Sequence, residues 1–197
     1  IYDLTRKYYL LGRDRLIVEL DVAPGAHVLE IGCGTARNII HAARRYPGAR
    51  FYGLDISAEM LKSARGNLAR QSLTSQCRLA RGDATGFEAK KLFGRSTFDR
   101  IMFSYTLSMI PGWEAALEQA CRLVAPGGAV HLVDFGQQED LPRWFGRGLK
   151  AWLARFHVSP RADLFAVCEV LARRHGLGLE TESLFRDYAR SAALWRA

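Results

Sequence analysis

A short apolar run that ends in Gly-x-Gly and passes at once into a helical pattern constrains this chain more than any other stretch. Val28-Leu-Glu-Ile31 reads as a buried parallel strand. Gly32 and Gly34 follow directly, and 36–46 reads as a helix. Strand, glycine turn and helix place backbone N–H groups at a helix start against a ligand, and a Cβ in the turn would block the ligand's approach. The spacing is G-x-G with no third glycine, so the dinucleotide fingerprint is met only in part. No Gly-Lys-Ser/Thr follows, which excludes a P-loop.

The rest of the chain repeats strand and helix in alternation, which predicts an α/β protein with a largely parallel sheet. After Pro47-Gly48, the run 50–55 is a second strand ending in Asp55. Asp55 falls about twenty residues past the glycine turn, where a carboxylate can accept both hydroxyls of a ribose. Ser57 is the expected N-cap of the next helix, whose apolar face carries Met60, Leu61, Ala64 and Leu68. Further strands are read at 76–80, 97–103 and 129–134, and helices at 113–124 and 163–176. A strand at 177–184 and a returning antiparallel strand at 188–195 close the chain.

The 197 residues suffice for one domain with a real core. No apolar run approaches the roughly 20 residues that span a bilayer. No signal peptide is read; the chain opens at Ile1 rather than Met, so some N-terminal sequence is expected to be missing. Cys33, Cys77, Cys121 and Cys168 are scattered in apolar contexts without C-x-x-C, which suggests buried free thiols in a reducing cytoplasm. The histidines show no metal-ligand spacing, so no metal is expected. The net charge of +8 permits an anionic membrane or nucleic acid as partner and proves neither.

From Leu141 to Arg161 stand Arg143, Arg147, Lys150, Arg155 and Arg161 with no acidic residue, interleaved with Trp144, Phe145, Leu149, Trp152, Leu153 and Phe156. Two readings stay open for this basic aromatic insertion (about 141–157). It is a helix with a core face and solvated arginines, which the pattern alone favours, or an interfacial membrane helix.

Glu30-Ile-Gly-Cys-Gly-Thr resembles the first motif of the class I S-adenosylmethionine (SAM) methyltransferases. Asp55, Arg81-Gly-Asp-Ala84, Phe98-Asp99 and Pro126-Gly-Gly128 stand where that family carries its further signatures. The resemblance implies a Rossmann-like seven-stranded sheet with helices on both faces, spanning 1–197 as one domain, with SAM as cofactor and S-adenosylhomocysteine as product. It further implies that Glu30, Gly32, Cys33, Gly34, Asp55, Ile56, Met60, Ala84 and Ser104 meet the cofactor. Asp83 would bond the adenine amino group, and Arg13 would pair with the methionine carboxylate. Core packing remains the simpler role for Met60. Residues 1–20, dense in Tyr8, Tyr9, Leu10 and Leu11 and broken at Gly12, would form a helix that covers the sheet edge or lids the cofactor. Many relatives carry a third glycine at Ala36, and alanine is small enough for binding to survive.

A narrower resemblance rests on the flanks. Tyr2-Asp-Leu-Thr-Arg-Lys-Tyr-Tyr-Leu-Leu-Gly-Arg13, Ser104-Tyr-Thr-Leu-Ser-Met-Ile-Pro111, Val133-Asp-Phe-Gly-Gln-Gln138 and Arg155-Phe-His-Val-Ser-Pro-Arg161 look like the bacterial diacylglyceryl-homoserine N-methyltransferases. These methylate a lipid amine three times to make a betaine lipid. The likeness implies a lipid amine substrate and an enzyme at the inner face of the cytoplasmic membrane, held against anionic lipid by the Arg and Trp insertion. It makes Tyr8, Tyr9 and Tyr105 candidates to face the growing positive charge, and Asp134 and His157 candidates to orient or deprotonate the amine. The loop Ser104-Tyr-Thr-Leu lacks the Asn/Asp-Pro-Pro-aromatic that usually holds exocyclic base amines. Alternatives are an N-methyltransferase for phosphatidylethanolamine or a soluble amine, and behind these an RNA methyltransferase; beyond Arg and Trp, nothing in the sequence supports nucleic acid.

Overall fold

Along strand β1 (His27–Ile31), apolar side chains point alternately to two covered faces. Val28 packs with Leu16, Ile39 and Leu61. Leu29 and Ile31 pack on the other side with Trp113, Leu117 and Leu164. This is seen in a computed structural model that describes residues 10–142, 144, 148–149, 152–153, 155 and 158–197.

The other strands are β2 (Arg50–Asp55), β3 (Cys77–Arg81), β4 (Phe98–Ser104), β5 (Val124–Phe135), β6 (Gly178–Leu184) and β7 (Ala189–Trp195). They form a seven-stranded sheet in the order β3-β2-β1-β4-β5-β7-β6. The first five strands are parallel, while β7 runs antiparallel to both β5 and β6. Helices α1 (Arg13–Glu19), α2 (Arg37–Arg45) and α3 (Ala58–Arg70) cover one face. Helices α4 (Ala89–Phe93), α5 (Trp113–Leu123) and α6 (Leu164–His175) cover the other. The doubly covered sheet and the closing hairpin agree with the sequence reading.

Several boundaries follow from local chemistry. Gly12 adopts φ 86 and lets α1 begin at Arg13, which places the expected break. Ser57 caps α3, its hydroxyl accepting from the Met60 N–H at 3.2 Å. Two features were not read from the sequence. Helix α4 is a short turn between β3 and β4, and β5 starts five residues early. Phe98 pairs with Val124 and Arg100 with Ala129, so Pro126-Gly127-Gly128 is taken up as a register shift inside the strand.

The thiol expectation needs one correction. Cys33, Cys121 and Cys168 are buried, but Cys77 is only half-buried because it opens β3, an edge strand. Tyr8, Tyr9 and the first half of the expected lid lie outside the described residues. In the basic insertion, Leu153 joins the core, as does Val158 just after it, while Trp144 is 72% exposed and Trp152 37%. Arg161 does not belong to a solvated stripe: its guanidinium turns inward onto backbone carbonyls.

Candidate functional site

Chain order along the sheet reverses between β1 and β4, so a crevice opens at the C-terminal ends of these neighbours. Gly32 stands at the end of β1 with φ 77. A Cβ there would come within 2.5 Å of Thr106 Cγ2, which follows β4 on the opposite lip. The N–H groups of Gly32 and Cys33 both donate to Leu54 O, at 2.8 and 3.0 Å, and draw the turn across the end of β2. Gly34 adopts φ 52 with nothing within 4 Å of the Cβ it lacks. Ala36 precedes α2 at φ 65, a left-handed conformation that costs an L-residue about 1 kcal/mol and that glycine would adopt freely. The turn tolerates alanine here because the side chain is one methyl, fully buried.

Three carboxylates surround this turn. Asp55 accepts the Gly34 N–H at 2.7 Å on Oδ2 and the Ser57 N–H at 2.9 Å on Oδ1. It therefore fixes the turn, lines the crevice, and keeps lone pairs beyond those two bonds. Glu30 is 1% exposed and accepts from Asn38 Nδ2 at 2.7 Å through Oε1. Its Oε2 is buried without a hydrogen-bond partner. Burial pushes its pKa up to about 8, against the opposing pull of the Asn38 bond and the nearby Arg13 charge. Asp83 is exposed, and its Oδ1 accepts from the Thr85 N–H and hydroxyl at 2.9 and 2.8 Å, which holds its pKa below the ordinary value.

Arg13, Cys33, Ile56, Met60, Ala84 and Ser104 also line the crevice. Met60 is thus a wall residue rather than simple core. Ile56 is 64% exposed there, an apolar surface suited to a flat ring. The Ser104 hydroxyl is buried without a hydrogen-bond partner. Burial raises the Cys33 thiol far above its ordinary range, so it stays protonated.

Past β4 the same cavity continues toward β5 and becomes apolar. Its wall there includes Leu10, Phe135, Trp152, Leu153 and Val158. The whole cavity encloses about 1410 Å³, more than the roughly 300–1,000 Å³ that serves one small ligand. There is room for two reactants side by side. Tyr105 lines the cavity directly after β4, with φ 57, its ring edge on Phe135 at 4.6 Å between centroids and its hydroxyl donating to Leu11 O. Burial and the Asp134 charge raise its phenol well above the ordinary range, so it offers a neutral ring and not a base.

Asp134 does not reach this cavity, contrary to the role expected of it. It is 1% exposed, and its two oxygens accept the Ser108 N–H at 3.0 Å and the Phe135 N–H at 2.7 Å. It anchors the loop after β4 from behind. His157, Tyr8 and Tyr9 lie outside the described residues. The sequence reading passed over Thr35, Arg37, Asn38, Thr85 and Thr106, which all line the crevice. For Asn38 a signal existed: at position i+8 from Glu30, in the first turn of α2, an amide can reach back to the strand it has just left.

A family described as "Methyltransferase domain" matches residues 28–128. A demethylmenaquinone methyltransferase of Lactiplantibacillus plantarum is 30% identical over 146 residues, covering 71% of this chain and 60% of the relative. A ubiquinone/menaquinone biosynthesis C-methyltransferase of Desulfotalea psychrophila is 31% identical over 139 residues, 68% of this chain and 53% of its own. The chain thus spans about half to three fifths of the length of these relatives. Among solved structures, a phosphoethanolamine N-methyltransferase 2 of Haemonchus contortus bound to SAM superposes with TM-score 0.74 at 16% identity, over 94% of this chain and 52% of that one. That last likeness is one of fold.

Proposed function

The chain belongs to the class I SAM-dependent methyltransferases, and from that membership we propose that it methylates the amine of a membrane lipid, diacylglyceryl-homoserine, to its trimethylated betaine. One observation carries the lipid half of the reading: the cavity continues past the cofactor cradle onto an apolar wall of Leu10, Leu153 and Val158, where Trp152 also lines it and is 37% exposed. The amine half rests on the flanking phrases of the sequence. A second reading is favoured by the relatives' names, namely methylation of a quinone ring carbon.

The cradle fits SAM on its own chemistry. The unpartnered Glu30 Oε2 suits the ammonium of a methionine tail, Asp55 a ribose diol, and Asp83 with Ile56 an adenine. When bound, SAM supplies a methyl group on a sulfonium, already activated for transfer. What the protein adds is alignment of two reactants across the lip between β1 and β4. The Tyr105 ring and the apolar wall exclude water there and present an aromatic face to positive charge. Only an unprotonated amine carries the lone pair, so a dry wall that disfavours ammonium assists the reaction.

Expression beside a source of diacylglyceryl-homoserine, followed by lipid extraction and mass spectrometry, tests the reading. Mono-, di- and trimethylated lipids, each one CH₂ heavier, are expected. A single methyl added to a quinone, with the lipid unchanged, would favour the second reading instead.

Two further outcomes are expected. Glu30 holds in the folded chain, between its ordinary 4.5 and about 8, a proton that the unfolded chain has released. Stability therefore falls as pH rises across that window. SAM affinity moves the other way, because the ammonium needs the carboxylate: titration calorimetry should show tighter binding from pH 6 to 8, with a proton released on binding. Glu30→Gln should flatten that profile, and an equally steep profile in the variant would refute the pairing.

Membrane contact is tested by Trp144→Ala with Trp152→Ala. Among the described residues no helix is long and apolar enough to cross a bilayer. Binding to anionic phosphatidylglycerol vesicles should weaken by about tenfold or more, given roughly 1.5–3 kcal/mol per buried large side chain. Unchanged sedimentation with vesicles would remove the insertion from the membrane reading.

A further inference from the structure

The loop after β4 and the chain that follows the basic insertion are stapled together at three backbone points. Arg161 Nε donates to Leu107 O at 3.1 Å and Nη2 to Ile110 O at 2.8 Å. The Ser159 N–H donates to Ser108 O at 2.9 Å. The Arg161 guanidinium also lies over the Trp113 ring of α5, 5.9 Å from its centroid. From the other side Asp134 Oδ2 takes the Ser108 N–H. A three-residue 3-10 turn, Leu107–Met109, is thus held between a carboxylate below and a guanidinium above.

This turn is not a remote piece of structure. Thr106, Met109 and Ile110 line the cavity on the β4 side, and Trp152, Leu153 and Val158 line it on the insertion side. Arg161 is not itself among the residues that line the cavity; through the Leu107 and Ile110 carbonyls it joins the two walls between which the acceptor must enter. The charged fork suits that task. Two carbonyls that point in one direction at the end of a turn can be met together by a planar guanidinium, whereas an ammonium meets one of them as a point charge.

We infer that Arg161 is a positioning residue for the acceptor: it fixes the spacing between the post-β4 loop and the insertion wall, and so sets how the acceptor is held against the methyl without bearing on cofactor binding. The inference rests on the methyltransferase reading of the cavity. Its lipid identity enters only in naming the acceptor.

The test uses the whole chain with Arg161→Met and Arg161→Lys, and three measurements. Amide hydrogen exchange in 106–111 should accelerate in Arg161→Met, while exchange in 28–37 stays as in the parent. SAM affinity by calorimetry should stay within about twofold, and KM for the acceptor should rise about tenfold, as expected for losing hydrogen bonds from a charged donor. Arg161→Lys should recover part of the KM loss. Two results would overturn the inference: unchanged exchange in 106–111, or a SAM affinity that worsens in step with the acceptor KM and its recovery. The exchange measurement needs no acceptor. If diacylglyceryl-homoserine proves not to be the substrate, it still decides whether Arg161 couples the two walls.

Discussion

Gly32→Ala is expected to abolish SAM binding and lower the melting temperature, whereas Gly34→Ala should lose binding with little loss of stability. The difference follows from what each missing Cβ would meet. At Gly32 a methyl would approach Thr106 Cγ2 to 2.5 Å and Cβ to 2.8 Å. Thr106 is buried and its hydroxyl bonds Ile31 O at 3.3 Å, so it has little freedom to turn aside. Left-handed strain adds to the overlap, because Gly32 has φ 77. Together these cost about 2–4 kcal/mol, or roughly 5–15 °C in a domain of this size. They also pry apart the two lips of the crevice. Gly34 has φ 52 but open space around its Cβ position, and it lines the cavity. Its alanine costs only the backbone strain, near 1 kcal/mol, while the methyl projects where the ligand must lie. SAM affinity should fall by about a hundredfold or more. Calorimetry beside thermal unfolding separates the two variants. Equal melting losses, or retained binding in Gly34→Ala, would mean that the turn is shaped by something other than these contacts.

That turn was legible in the sequence because its causes are local. A strand, two glycines and a helix start within a dozen residues leave few conformations open, and the next strand must bring Asp55 back beside them. Asp83 and Tyr105 follow by the same logic, two residues and one residue beyond the ends of the parallel strands β3 and β4. The roles that could not be read depend on contacts between distant segments. Asp134 stands near the end of β5 as expected, yet its carboxylate is spent on the Ser108 and Phe135 N–H groups. A pattern of residue types does not reveal which way such a side chain turns. Arg161 was read as one more charge in a basic run, and its partners lie about fifty residues upstream. Thr106 looked like a loop residue; only the close approach of β1 and β4 shows that it sets the size allowed at position 32. The basic insertion divides in the same way, since Leu153 is in the core while Trp144 stands in solvent, and periodicity alone assigned both to one apolar face.

Asp55→Asn should weaken SAM binding by about a hundredfold to a thousandfold, although the side chain keeps its size. The reason lies in the demands made on its two oxygens. Oδ2 accepts the Gly34 N–H at 2.7 Å and Oδ1 the Ser57 N–H at 2.9 Å, so both ends of the carboxylate face donors. An asparagine has one oxygen and one NH₂ group, and whichever way it turns it sets a donor against a donor. Each hydrogen bond to a charged acceptor contributes about 1.5–3 kcal/mol, and the variant loses charge on one bond while breaking the other. The glycine turn then loosens at Gly34, or α3 loses support beside its Ser57 cap. The ribose meanwhile faces an amide that can accept from only one hydroxyl. An analogue of SAM without the ribose hydroxyls separates these effects. The parent protein should bind it far more weakly than SAM, while Asp55→Asn should discriminate much less between the two. If the variant kept the full preference for the hydroxylated ligand, Asp55 would hold the turn without touching the ribose, and the diol would have to be sought among its neighbours on the cavity wall.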